Sequence, residues 1–229
     1  MLSASNMPTP HDTADYSEPT VALLLPAFIT IRNLQPSTVP GLVSDIINQA
    51  PTNSSPLQPF SLSDATLSGG LTTSACPHSA VILMCSHKTR DARCGQSAPL
   101  LRKELERHLR PLGLYRDLHD ERPGGVGIYF INHVGGHKYS ANVMIYRRPN
   151  AFGQDDPEPA PANGDNGDAE GRNGEDSKDV GASQCIWLAR VKPEDCENLV
   201  RYTVLKGKVV KPESQLRGGF DRSRGLMSW

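Results

Sequence analysis

The sequence predicts an α/β protein with a mixed sheet and flanking helices, and three consecutive segments carry this prediction. SAVILMC (79–85) is a short, uninterrupted apolar run, which is typical of a buried strand. SAPLLRKELERHLRPLGL (97–114) has leucines at helical spacing with charged residues between them, which predicts an amphipathic helix. VGIYFIN (126–132) is another apolar run and predicts the next strand. Together these segments predict a β-α-β unit.

The predicted helix has sequence signals at both ends. Ser97 is expected to cap the amino end, and Pro99 suits the first turn, where a backbone N–H is not needed. Pro111 and Gly113 are expected to end the helix. The apolar stripe of this helix consists of Leu101, Leu105, Leu109 and Leu112.

Two more strands and a helix follow the β-α-β unit. NVMIYRR (142–148) and CIWLARV (185–191) are predicted strands. A helix is expected to begin at Pro193, because proline suits a first turn and the next residues, Glu194 and Asp195, favour a helix amino end. The order β-α-β-β-β-α matches a thioredoxin-like layout, in which helices flank a mixed sheet.

The rest of the chain divides into an N-terminal part and an insert. Residues 1–20 are small and polar and are expected to be disordered. Residues 21–77 are predicted to form a strand–helix extension and a loop, with a strand over 21–34 interrupted at Pro26 and a short helix from Pro40. The main domain is predicted over 78–229. It contains an acidic, Gly- and Pro-rich stretch, 149–183, which is expected to be a disordered insert.

Composition excludes several classes of protein. The net charge is −1, so no overall field favours nucleic acid or an anionic membrane. No apolar run approaches the roughly 20 residues of a membrane helix. The first basic residue is Arg32, which fits neither a secretory nor a mitochondrial leader, so a cytoplasmic location is expected. Five cysteines without a secretory context indicate thiols that are reduced or bound to metal.

Four candidate ligands follow the two strands of the β-α-β unit. Cys85 ends the first strand, and Cys94 follows after eight residues. His133 lies just past the second strand, and His137 follows after three residues. If the strands are neighbours, these donors meet at the carboxyl edge of the sheet, where ligands gather in α/β proteins. Two thiolates and two imidazoles can hold zinc or a [2Fe–2S] cluster, and unrelated cysteines and surface histidines remain the alternative.

Four blocks of sequence resemble the sucrase/ferredoxin-like family of thioredoxin-like ferredoxins. The blocks are CSHKTRDARCG, APLLRKE, HVGGHKYSANVMIY and QLRGG. The resemblance implies that Cys85, Cys94, His133 and His137 bind a [2Fe–2S] cluster, with imidazoles where ordinary thioredoxin-like ferredoxins have a second pair of cysteines. Gly135, Gly136 and Lys138 are then expected to lie close to the cluster. Some members carry mitochondrial names, which adds a mitochondrial pool to the cytoplasmic expectation.

This ligand set predicts a redox carrier rather than an enzyme with its own substrate. Because two imidazoles are neutral, the cluster resembles a Rieske centre and suits electron transfer or redox sensing. A zinc-stabilised binding module is one alternative. A thiol oxidoreductase is another, although no C-x-x-C opens the first helix and Cys85 and Cys94 are far apart in sequence.

The remaining cysteines, a basic loop and the tail complete the predictions. Cys185 and Cys196 are expected to be buried core thiols, and Cys76 is a candidate reactive thiol in a loop. The basic loop Lys88, Arg90 and Arg93 favours thiolates or an acidic redox partner, with a solvated loop as the alternative. The tail Met227, Ser228 and Trp229 resembles the tripeptide by which the cytosolic iron–sulfur targeting complex captures its clients, so this complex is an expected partner.

Overall fold

Two β-sheets carry the fold, a three-stranded sheet near the N-terminus and a six-stranded sheet that contains the predicted β-α-β unit. The computed structural model describes residues 1–11, 13, 15, 17–60, 67–132, 134, 139–155 and 179–224. The strands of this part of the chain are β1 (Thr20–Leu24), β2 (Ile29–Leu34), β3 (Thr72–Ala75), β4 (Ala80–Cys85), β5 (Tyr115–Arg116), β6 (Val126–Ile131), β7 (Val143–Arg147), β8 (Gln184–Leu188) and β9 (Leu216–Asp221).

The six-stranded sheet is mixed, with the order β5-β6-β4-β7-β8-β9. β4 and β5 both run parallel to β6, whereas β7, β8 and β9 each run antiparallel to the strand before them in the sheet. The central order β6-β4-β7-β8, with a helix between β4 and β6, is the thioredoxin-like arrangement. The predicted α/β fold class is therefore confirmed.

The helices of the described residues are α1 (Val39–Gly41), α2 (Ala92–Leu109), α3 (Cys196–Asn198) and α4 (Pro212–Gln215). The short helix α1 lies between a 3₁₀ turn, Pro36–Thr38, and a π turn, Leu42–Ile47. Helix α3 likewise continues a 3₁₀ turn, Pro193–Asp195, and runs into a π turn, Leu199–Val204. The expected helix start at Pro193 is therefore confirmed.

The two faces of the large sheet are covered differently. The continuous helical segment 193–206, which contains α3, is called the α3 segment. It packs together with helix α2 on one face of the sheet, where alternate residues of β4, β6, β7 and β8 form the main core. The other face packs against the turn between β1 and β2, where Phe28 is fully buried beside Val81 and Tyr129. The N-terminal extension thus takes the place that a helix occupies in a sheet covered by helices on both faces.

The N-terminal extension differs in detail from its prediction. Residues 21–34 form a hairpin of β1 and β2 instead of one interrupted strand. The chain turns at 25–28, and Phe28 takes a positive φ of 57° there. β3 then pairs with β2, so the region predicted as a loop contributes a third strand. The division of the chain at 20 and 77 remains a prediction.

Residues 4–6 differ from the expectation of a disordered N-terminus. Ser5 forms an antiparallel bridge with Ile131. Asn6 exchanges two hydrogen bonds with Phe130, one from its backbone N–H at 3.2 Å and one to its side-chain oxygen at 2.8 Å. β5 pairs only with the start of β6, so the later part of β6 has backbone groups that residues 4–6 satisfy.

The described ends of the acidic insert are held by Arg147, the last residue of β7, and by Arg148, which follows it. Asp155 bonds Arg147, and Asp179 bonds Arg148. Residues 156–178 of the predicted disordered insert lie outside the described residues. No helix among the described residues combines the length and the apolar character needed to cross a membrane.

Arg147 also fixes the end of the α3 segment to the sheet. Its side chain is only 2 % exposed. Its guanidinium donates to the carbonyl oxygens of Val204 at 2.6 Å and Leu205 at 3.2 Å, and to the Gln184 side chain at 3.2 Å. Because the helical segment ends here, no following helical turn donates an N–H to these carbonyl oxygens. The Arg147 guanidinium donates to them instead and so caps the segment.

His78 is buried where β4 begins, at the end of the strand opposite Cys85. Its Nε2 lies 3.1 Å from the Tyr129 hydroxyl, and the residue is 3 % exposed. Gly127 makes room for the ring, because a Cβ there would lie 2.4 Å from the imidazole Cδ2. Burial lowers the pKa of His78, and the nearby Arg116 lowers it further.

This buried imidazole is expected to make stability depend on pH. The unfolded chain protonates His78 near its ordinary pKa of about 6.5, whereas the folded protein resists that proton. The free energy of unfolding is therefore not reduced by His78 above a pH of about 6.5, and it decreases as the pH falls below that value. The free energy of unfolding is measured in urea at one pH above and one pH below about 6.5. Its change between the two pH values should be smaller for His78→Gln than for the exposed control His119→Gln. An equal change with pH in both variants would refute the prediction that His78 makes stability depend on pH.

Candidate metal centre

Cys85 lies at the carboxyl edge of the large sheet, which we define as the edge where β4 ends at Cys85 and β6 ends at Ile131. These two residues face each other across the parallel pair. The Cys85 N–H donates to the carbonyl of Asn142 at 3.1 Å, and the Ser86 N–H donates to the carbonyl of Ile131 at 3.0 Å. The expectation that the two predicted strands are neighbours is confirmed, and Cys85 is held on both sides by backbone hydrogen bonds.

Cys94 lies in the first turn of α2, because the helix begins six residues earlier than predicted. The amino-end cap is Asp91 instead of Ser97, and its carboxylate accepts from the Arg93 N–H at 3.0 Å. Pro99 therefore lies inside the helix, where it cannot donate to Gly95. The sequence signal was present, since aspartate is among the preferred caps, but Pro99 suggested the later start.

The two thiols are in contact. The Cys85 and Cys94 side chains form a hydrogen bond with each other, and the residues are 1 % and 0 % exposed. The Ala141 backbone N–H donates a further hydrogen bond to the Cys94 sulfur. Burial raises the pKa of Cys94 to about 11, and the neighbouring Cys85 adds to the rise, while the Ala141 N–H opposes it. Neither cysteine forms a disulfide bond.

Gly95 lets the loop between the cysteines pass close to α2. A Cβ on Gly95 would lie 2.7 Å from the Lys88 Cβ and 2.9 Å from its Cα. The clash involves backbone, so a larger residue would displace the segment that joins Cys85 to Cys94. The sequence did not indicate this role, because a glycine in a helix has several explanations.

We therefore expect Gly95→Ala to destabilise the protein, although alanine is the better helix former. Overpacking of this kind costs about 1–3 kcal/mol. Urea unfolding would measure the change. Gly218→Ala is the matched control, because a Cβ there meets no atom within 4 Å. A Gly95→Ala variant as stable as Gly218→Ala would show that the loop can move away without cost.

Comparison with known proteins identifies the family. The model of the sucrase/ferredoxin-like family matches residues 1–218, which is nearly the whole chain. The chain belongs to the sucrase/ferredoxin-like family. The match includes the N-terminal sheet as well as the large sheet. No experimentally solved structure matches the chain significantly.

The curated relatives of this sucrase/ferredoxin-like protein are fungal. Actin patches distal protein 1 of Saccharomyces cerevisiae is 40% identical over 135 residues, which is 57% of this chain and 40% of that protein. Altered inheritance of mitochondria protein 32 of Clavispora lusitaniae is 31% identical over 134 residues, which is 58% of this chain and 33% of that protein. The protein of the same name from Debaryomyces hansenii is 28% identical over 131 residues. The matched region spans two fifths or less of the length of these relatives.

Several predicted residues of this family member lie outside the described part of the chain. They are the ligands His133 and His137, their neighbours Gly135, Gly136 and Lys138, and the tail residues Met227, Ser228 and Trp229. Among the residues that are described, no group of three or more His, Cys, Asp or Glu side chains could hold a metal ion. The capture of the tail by the cytosolic iron–sulfur targeting complex remains a prediction.

The other cysteines are structural. Cys185 and Cys196 are buried, as expected. Cys76 is also buried, at 4 % exposure, and burial raises the pKa of its thiol. The prediction of a reactive loop thiol is therefore wrong for Cys76, because reactive thiols need access and a lowered pKa.

The cations of the basic loop differ in their surroundings. Lys88 and Arg90 are exposed, whereas Arg93 forms an ion pair of 2.8 Å with the buried Asp91. Arg93 therefore helps to hold the cap of α2 and, through it, the helix turn that carries Cys94.

Proposed function

We propose that this protein binds a Rieske-like [2Fe–2S] cluster through Cys85, Cys94, His133 and His137, and that it acts in electron transfer or redox sensing. The observation that carries the proposal is the pair of buried, touching thiols at the carboxyl edge. β6 lies beside β4 and ends two residues before His133, so the chain that bears the histidines leaves the sheet beside Cys85.

The thiol pair fits two ligands of one metal. Two sulfurs bound at about 2.3 Å to a tetrahedral metal are about 3.8 Å apart, a separation close to that of two hydrogen-bonded thiols. The pair therefore needs little rearrangement to bind. Because burial raises the pKa of Cys94 to about 11, Cys94 must lose its proton to bind a metal, and metal binding is expected to release that proton to solvent.

The surrounding residues suit a redox centre. Burial of Cys85 and Cys94 excludes water from the sulfurs. The Ala141 N–H supplies a hydrogen bond to Cys94 of the kind that tunes ligand sulfurs. A [2Fe–2S] cluster with two histidine ligands supplies one-electron chemistry at about −150 to +300 mV, against about −400 mV for plant-type clusters.

The geometry disfavours a thiol oxidoreductase. The two cysteines are in contact, so their distance in sequence is no objection to disulfide chemistry. An attacking cysteine, however, needs an accessible thiolate, and both residues are buried while the pKa of Cys94 is raised. We place the protein in the cytoplasm with a mitochondrial pool and give it an unidentified redox partner, as further parts of the proposal.

Metal content tests the proposal. The protein is purified anaerobically, and its iron, acid-labile sulfide and zinc are measured together with its visible spectrum. We expect a red-brown protein with about two irons and two sulfides per chain. A colourless protein with one zinc that cannot be reconstituted with iron and sulfide would favour the zinc-stabilised binding module.

A further inference from the structure

The segment that leads into β7 touches both cysteines. The Ala141 N–H donates to the Cys94 sulfur, and the carbonyl of Asn142 accepts from the Cys85 N–H at 3.1 Å. Ala141 has a φ of 53°, in the left-handed region that a residue with a side chain adopts only where its surroundings require it. Something must therefore hold this short segment in place.

The Asn142 side chain is the centre of that support. The residue is 2 % exposed. Its amide nitrogen donates to the carbonyl of Tyr139 at 2.5 Å, which closes a turn around Ala141. Its amide oxygen accepts from the indole N–H of Trp187 at 3.2 Å and from Arg217 at 3.4 Å. One side chain thus joins the segment to β8 and β9.

Two arginines support the same segment from outside. The Arg217 guanidinium lies 4.3 Å from the centre of the Tyr139 ring and 5.0 Å from that of Trp187. The Arg190 guanidinium lies 5.0 Å from the Tyr139 ring, and the Arg190 N–H donates to the carbonyl of Ser140 at 2.9 Å. These contacts give a physical role to Arg217 in QLRGG, one of the blocks that carried the family resemblance.

We propose that Asn142 is a positioning residue that holds the Ala141 N–H on the Cys94 sulfur and thereby raises the reduction potential of the metal centre. This inference rests on the proposed function. A hydrogen bond to a ligand sulfur stabilises the reduced, more negative state, so the potential falls when the bond is lost. Asn142 itself acts only through Ala141.

Asn142→Leu tests the inference, because leucine keeps the branching and the number of heavy atoms of the side chain and removes its donor and acceptor. Ile128→Val in β6 is the matched control, a mild core change away from residues 139–142. Amide hydrogen exchange of Ala141 is measured in the metal-free proteins. The reduction potential is measured in the iron-loaded proteins. We expect faster Ala141 exchange and a lower potential in Asn142→Leu, and neither change in Ile128→Val.

Either unchanged Ala141 exchange or an unchanged potential in Asn142→Leu overturns the inference, and so does an equal potential shift in the control. If Asn142→Leu does not hold iron, Trp187→Phe removes only one donor to the Asn142 oxygen and is expected to lower the potential less, in the same direction. An unchanged potential in that variant overturns the inference as well. A wild-type protein without iron refutes the proposed function, whereas the exchange of Ala141 still reports whether Asn142 positions it.

Discussion

Replacing Cys94 by serine is expected to lower the iron content of the anaerobically purified protein by about ten-fold or more. Loss of a residue that only supports a metal ligand already costs about 10–100-fold in affinity, and Cys94 is a proposed ligand. Serine keeps the size of the side chain, so the first turn of α2 and its Asp91 cap should remain intact. Iron and acid-labile sulfide per chain are measured on both proteins.

Cys76→Ala is the matched control for this experiment. Cys76 is also buried, but it lies before β4, whereas Cys94 contacts the opposite end of that strand. The control should keep its iron, which would show that loss of a buried thiol is not in itself sufficient. Equal iron content in Cys94→Ser and the wild-type protein would remove Cys94 from the ligand set.

The largest loss of stability is expected for Arg147→Leu, by about 3 kcal/mol or more. The substitution takes the Arg147 donor from the two buried carbonyl oxygens of Val204 and Leu205 and from the part-buried side chain of Gln184, and a buried acceptor left without a donor costs about 1–3 kcal/mol. It also leaves Asp155 without its ion pair. Unfolding in urea measures the change in the free energy of unfolding.

Arg107→Leu is the control for the loss of an arginine. Arg107 pairs with Glu104 on the surface of α2, where its side chain is 67% exposed, and such pairs contribute about 0–1 kcal/mol. We expect a small change there. If Arg147→Leu is no less stable than Arg107→Leu, the α3 segment does not depend on its buried cap.

The sequence predicted the four inner strands of the large sheet because they are buried, and it did not predict the edge strands β5 and β9. β4, β6, β7 and β8 are short apolar runs, and such runs are the clearest sequence signal of a strand in a core. The order of these runs around one amphipathic helix then led to the thioredoxin-like layout. The parallel pairing of β4 and β6 followed from the helix between them.

Local errors arose where two signals competed. Pro99 suggested a helix start near Ser97, but Asp91 caps the helix and the proline is tolerated on its exposed side. Pro26 was interpreted as an interruption of one strand, and the turn that it marks uses a positive φ at Phe28 without glycine. Residues 4–6 join β6 through backbone hydrogen bonds and one hydrogen bond to the Asn6 side chain, which leave no apolar pattern in the sequence.

Long-range contacts of the candidate site could not be predicted. Asn142 and Arg217 are 75 residues apart, and their hydrogen bond depends on the pairing of three strands. The donor to Cys94 is a backbone N–H of Ala141, a residue with no chemical signal of its own. The sequence therefore supplied the candidate ligands, whereas the contacts that support Cys85 and Cys94 became visible only in the fold.

Pulsed EPR of the anaerobic, dithionite-reduced protein tests the central claim most directly. It detects couplings from nitrogen atoms bound to the metal, and the same sample gives the average g value. We expect couplings from two histidine nitrogens and an average g in the Rieske range. A [2Fe–2S] signal without nitrogen coupling would contradict histidine ligation, and a sample without any iron signal would contradict the redox centre itself.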